Sequence, residues 1–135
     1  AALGVPTKFA AYLRPEAVGM TTRVAAARAA GEAVQHSANT IFLGQDGGTD
    51  LVYLGEFSGA RWPAHGQLWA WSLRGVAPVP AEQRLHDMLS REPALEYFVV
   101  TDVGDLRQQP DLEALLAGLP RLADGPGYAV YRLRP

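Results

Sequence analysis

Residues 95–102 read Leu95-Glu96-Tyr97-Phe98-Val99-Val100-Thr101-Asp102. From Tyr97 to Thr101 the run is unbroken aromatic and β-branched, which is strand composition. Apolar residues on both sides of the pleat predict a strand buried on both faces, as in the centre of a helix-covered sheet. A helical pattern precedes it (Ala81–Arg91) and another follows it (Gln108–Leu119). The strand ends in the polar pair Thr101-Asp102, and the carboxyl ends of strands are where open α/β sheets keep their ligands.

Upstream, Ala17, Met20, Val24, Ala27, Gly31 and Val34 alternate in steps of three and four, one narrow helical stripe. Thr21 or Thr22 would cap this helix if it starts late, and its small residues would let it lie close to a sheet. Ala38–Leu43 reads as the first strand, Gln45–Asp50 as a loop, and Leu51–Leu54 as a strand or a single helical turn. Glu56–Gly66 is irregular by composition. Gln67–Leu73 alternates Leu68 and Ala70 against Trp69 and Trp71, which suits an edge strand. Pro80 opens the next helix and Pro93 follows its end; Pro110-Asp111 and Gly118 then Pro120 bracket the last one. Ala123–Gly127 reads as a turn and Tyr128–Leu133 as a closing strand, antiparallel at an edge. Ala1–Arg14 is a lead-in with a short helical or extended piece at Phe9–Leu13.

Strands alternating with helices predict one α/β domain over residues 1–135. The expected sheet is open, mostly parallel, of about four to five strands, covered by helices in three layers in a Rossmann-like or flavodoxin-like arrangement. The chain has 135 residues, 48% hydrophobic and 19% charged. That suits a globular domain that buries about two-thirds of its unfolded-chain surface. A net charge of −2 argues against a nucleic-acid partner, because phosphate neutralisation needs a basic face. No apolar run reaches the roughly 18–20 residues of a membrane span. With no cysteine, disulfides, thiolate metal sites and cysteine nucleophiles are excluded together.

Few stretches carry chemistry. The acids of Asp46-Gly47-Gly48-Thr49-Asp50 are too sparse for a calcium loop, and ordinary turn chemistry accounts for them. No Gly-x-Gly-x-x-Gly or Walker lysine is present, so no nucleotide cofactor is implied. Ser58 lies one residue off a nucleophile elbow, and nothing marks a His and an acid to serve it. His36, His65 and His86 lack metal-ligand spacing. Arg61-Trp62-Pro63-Ala64-His65 is the densest functional cluster: a guanidinium fork beside a flat indole suits an anionic or sugar-like group. The same residues also read as a surface loop pinned by a half-buried Trp62, with Arg61 stacked on it. Asp102 and Asp105 after the central strand suit a ligand or, equally, turns and helix caps.

The order of segments resembles a known family. An Ile41-Phe42-Leu43-Gly44 strand leads to Tyr53-Leu54-Gly55-Glu56-Phe57-Ser58-Gly59-Ala60-Arg61-Trp62-Pro63, then the central strand, then Tyr128-Ala129-Val130-Tyr131-Arg132-Leu133. This resembles the soluble C-terminal domain of multi-pass, protein-mannosyltransferase-like glycosyltransferases that use polyprenyl-phosphate sugars. The resemblance covers roughly Thr21 to Leu133 and departs from the family's pattern at Glu56 and Ala60. It implies a non-catalytic extracytoplasmic domain, joined through residues 1–14 to a transmembrane region of the same polypeptide. Such a domain would cover the membrane active site or engage an acceptor glycan or lipid-linked sugar through Tyr53–His65. The family's catalytic acid lies between its membrane helices, so no catalytic residue carries over. The alternative expectation is a free-standing, cytoplasmic α/β domain that binds an anionic or sugar-like ligand. In either case the candidate ligand-binding residues are Tyr53, Arg61, Trp62, His65 and Asp102, with no metal and no cofactor.

Overall fold

The computed structural model describes residues 15–44 (side chains from Thr22 on), 55–56 and 59–134. The lead-in 1–14, the Gln45–Asp50 loop, the Leu51–Leu54 run with Tyr53, and Ser58 lie outside the described residues. In chain order the elements are α1 (Pro15–Ala33), β1 (Thr40–Leu43), β2 (Gly59–Arg61), α2 (His65–Leu73), α3 (Ala81–Arg91), β3 (Tyr97–Val100), α4 (Val103–Arg107), α5 (Pro110–Ala117), β4 (Arg121–Gly125) and β5 (Tyr128–Arg132). The five strands form one open sheet in the order β2-β1-β3-β5-β4.

β3 is the central strand. Phe98, Val99 and Val100 are each fully buried, and successive side chains on a strand point to opposite faces. On one face Ile41, Leu43, Phe98, Val100 and Tyr131 pack with Leu85 of α3, Leu106 of α4 and Leu112 and Leu116 of α5. On the other, Phe42, Val99 and Val130 pack with Ala27 and Ala30 of α1 and with Val34 just past its end. The small side chains of α1 allow that close approach, and Gly31 carries it furthest. A Cβ there would collide with the backbone carbonyl of Gly55. Two successive left-handed residues, Gln35 and His36, then turn the chain out of α1 toward β1.

The expected mostly parallel sheet is corrected to a mixed one. β1 runs parallel to β2 and to β3, whereas β5 is antiparallel to both β3 and β4. Antiparallel strands can be joined by a two-residue turn, and parallel ones cannot. Pro126 and Gly127 (φ +79°) supply that turn, with Pro in the first position and a left-handed Gly in the second. Part of the expected Ala123–Gly127 turn is therefore strand β4, and β5 lies inside the sheet rather than at its edge. Gln67–Leu73 is also corrected: the edge-strand reading fails because these residues belong to helix α2. The alternation of a few apolar and indole side chains fits either period, and the groups that start this helix lie elsewhere in the chain. Thr21 and Thr22 sit inside α1, which begins at Pro15, so neither caps it. The last helical pattern, Gln108–Leu119, is α5, with Pro110 at its first position, and the short α4 before it is a further helix that the pattern did not include.

Candidate functional site

Among the described residues β2 is an edge strand, three residues long, and its carboxyl end feeds Trp62, Pro63 and then α2. Trp62 is only 4% exposed. Its ring packs on Phe98 at 5.4 Å between centroids, and its backbone N–H donates to Phe42 O at 2.8 Å. The indole Nε1–H donates to Gln109 Oε1 at 3.0 Å, and Gln109 Nε2 donates in turn to Pro63 O at 3.0 Å and to Asp105 Oδ2 at 2.9 Å. Gln109 is itself buried, so its amide, the indole N–H and the Pro63 carbonyl satisfy one another where water does not reach, as burial requires.

The same network explains α2. Its N-cap residue is Ala64, whose methyl side chain cannot accept a hydrogen bond. The carboxylate of Asp105 instead accepts from the His65 backbone N–H, at 3.0 and 3.2 Å to its two oxygens. Asp102 in turn caps α4, accepting from Asp105 N at 3.0 Å. α3 repeats the device: its N-cap is Pro80, and Asp111 Oδ2 accepts from Ala81 N at 2.9 Å. Free amides at a helix start need an acceptor, and a carboxylate there also meets the positive end of the helix dipole.

Of the residues singled out from the sequence, Trp62, His65 and Asp102 are thus brought together through Gln109 and Asp105, in structural roles. Trp62 has no open face, His65 enters the network through its backbone, and Asp102 holds a helix end. Arg61 lies apart, exposed, on the rim of a groove of about 370 Å³. Pro63, Trp71 and Val79 line that groove with Arg84, Asp87, Met88 and Arg91 of α3. The Arg84 guanidinium lies 6.0 Å from the Trp62 ring centroid and 5.7 Å from that of Trp71, within cation–π reach of both indoles. Three arginines and one carboxylate, Asp87, line the groove, and Asp87 already accepts from Gln83 Nε2 at 2.9 Å. The groove is therefore cationic with one apolar wall. It offers a fork for an oxyanion and an indole edge for a ring.

The sequence reading missed Arg84, Met88, Arg91 and Trp71. A signal for the first three was present: residues 84, 87, 88 and 91 are spaced as one stripe of the helix predicted over Ala81–Arg91. Trp71 was hidden by the strand reading of Gln67–Leu73.

A second groove of about 370 Å³ lies between β4–β5 and the helices α4 and α5, with Arg107, Glu113, Arg121 and Asp124 among its lining residues. Its charges are mixed and partly paired: Arg121 reaches Asp124 Oδ2 and the Tyr131 hydroxyl, both at 3.3 Å. The Tyr131 contact is the main reason that the Arg121 pKa is raised above its ordinary value. An arginine is charged at every physiological pH, so this shift brings no pH response. His36 Nδ1 lies 2.8 Å from Gly55 O, and His86 is exposed beside Asp87. Among the described residues, no three His, Asp or Glu side chains converge as a metal ion would need, and no helix is long and apolar enough to cross a membrane. Searches against protein-family models, curated proteins and solved structures found no match to this chain.

Proposed function

We propose that this chain is a binding domain, without catalysis of its own, that takes an anionic, sugar-like group in the groove between β2 and α3. The observation that carries this reading is the convergence of Arg61, Arg84 and Arg91 beside Trp71. The finer fold reading agrees with it. The parallel trio β2-β1-β3 supports the flavodoxin-like reading, because flavodoxin-like sheets begin in the order 2-1-3, although a hairpin and not further parallel strands completes this one. In such sheets ligands sit outside the carboxyl ends of strands, and Arg61 stands at the carboxyl end of β2. Calorimetric titration with a hexose 1-phosphate tests the site. Arg61→Ala and Arg91→Ala are both exposed changes and should each weaken binding by about 1–3 kcal/mol, as binding-site anchors do. No heat of binding, or an affinity indifferent to both changes, overturns it.

A narrower reading follows from the resemblance: the domain is the extracytoplasmic tail of a membrane glycosyltransferase and engages its acceptor or its lipid-linked donor. The cationic groove supports this, because a polyprenyl-phosphate sugar presents an anionic phosphate next to a sugar ring. An antibody to this segment should then detect, in source cells, a membrane-bound polypeptide several times larger than 14.5 kDa. A soluble band near that mass removes the glycosyltransferase reading and leaves the free-standing binding domain.

A further inference from the structure

α2 is an apolar helix with no buried residue. Trp69 is 61% exposed and Leu73, one turn later, is 67% exposed. Val76 (52%) and Val79 (40%), in the loop that follows, are exposed too and line a groove with Leu68 and Trp71 of α2. Scattered exposed apolar side chains need no explanation, but a contiguous set of large ones does.

We infer that the exposed face of α2 and the loop behind it seat on an anionic lipid surface. The charge around the patch favours this occupant. From Phe57 to Ala81 the chain carries Arg61 and Arg74 and no Asp or Glu. Arg74 is the C-cap residue of α2, next to Leu73, and both it and Arg61 are exposed. Of the acids that the fold brings to this region, Asp105, Asp87 and Asp111 accept hydrogen bonds, from the His65 amide, from Gln83 and from the Ala81 amide. Cations flanking exposed Trp and Leu are the composition of a helix lying in a headgroup layer, where indoles settle at the interface and arginines reach phosphates. The size of the patch points the same way. Four side chains expose on the order of 400 Å², about half of the roughly 800 Å² that each partner buries in a standard protein interface. A membrane surface needs only a few anchors of this kind together with basic residues.

The test is co-sedimentation of the full 135-residue chain with phosphatidylcholine vesicles, with and without about 30% phosphatidylglycerol, alongside tryptophan emission. The chain should bind the anionic vesicles with a blue shift, release from them as salt rises, and bind neutral vesicles at least tenfold more weakly. Trp69→Ser and Leu73→Ser, both at exposed positions, should each reduce binding by tenfold or more, and Trp69→Ser should abolish most of the blue shift. Arg74→Glu should do the same to the salt-sensitive part. Trp69 does not line the cationic groove, so the Trp69→Ser chain should still titrate normally with a hexose 1-phosphate. Loss of sugar-phosphate binding in wild type thus counts against the groove alone. Absence of vesicle binding, or equal binding to neutral and anionic vesicles, overturns the lipid proposal. A homodimer that Trp69→Ser dissociates, with no vesicle binding, overturns it too and makes the patch a self-interface.

Discussion

Gln109 shows how one side chain decides the local structure around it. Its amide meets an indole N–H, a proline carbonyl and a carboxylate at 2.9–3.0 Å, all across 4 to 47 residues of chain. Gln109→Leu keeps the approximate volume and removes every partner. It leaves the Trp62 N–H and the Pro63 carbonyl buried without hydrogen bonds, and such a loss costs about 1–3 kcal/mol. Urea unfolding should show a lower midpoint at an unchanged slope. A midpoint equal to that of the wild type would mean that the bridge carries no stability. The sequence alone marked Trp62 as a half-buried pin for its loop but did not show what holds it, because Gln is an ordinary surface residue until the fold encloses it.

At the scale of elements, two helices begin at residues that cannot cap them, Ala64 and Pro80. Asp105 and Asp111, supplied by α4 and α5, take that role. A capping side chain contributes about 1 kcal/mol, so α2 and α3 depend on segments that follow β3. This is the physical reason that α2 was illegible. Its local residues fit a strand as well as a helix, and the acceptor for its first amide stands 40 residues downstream. α3 was legible because Pro80 and a clear apolar set, Leu85, Met88 and Leu89, lie within its own eleven residues. The β4–β5 hairpin shows a different limit. Its turn residues Pro126 and Gly127 were visible, but β4 itself is almost wholly exposed, so it lacks the apolar alternation by which strands are recognised.

At the scale of the molecule, both cores meet in β3. Phe98 and Val100 belong to the core under α3 and α5, and Val99 to the core under α1. β3 also holds β1 on one side and β5 on the other. Val100→Asp would place an unpaired carboxylate where exposure is zero, a cost of several kcal/mol. That is comparable to the net stability of a whole domain, about 5–15 kcal/mol. Circular dichroism and a thermal melt should therefore report an unfolded or molten chain. A cooperative melt near the wild-type temperature would mean that β3 is not the shared spine. The cationic groove and the exposed apolar face also exist only at this scale, since β2, α2 and α3 each contribute part of them.

By itself the sequence determined that this is an α/β domain, that Tyr97–Val100 is its doubly buried strand, and that α1, α3 and α5 lie close to where their apolar periodicity and proline signals put them. Those features are local: a dozen neighbouring residues suffice to state which face is apolar and where a helix starts. Only the tertiary structure decided that the sheet is mixed, that Gln67–Leu73 is a helix, that Trp62 is buried among Phe98, Gln109 and Arg84, and that Arg61 lines one groove with Arg84 and Arg91 of α3. Each of those depends on groups far apart in the chain becoming neighbours, and the sequence carries no local mark of which partner will arrive.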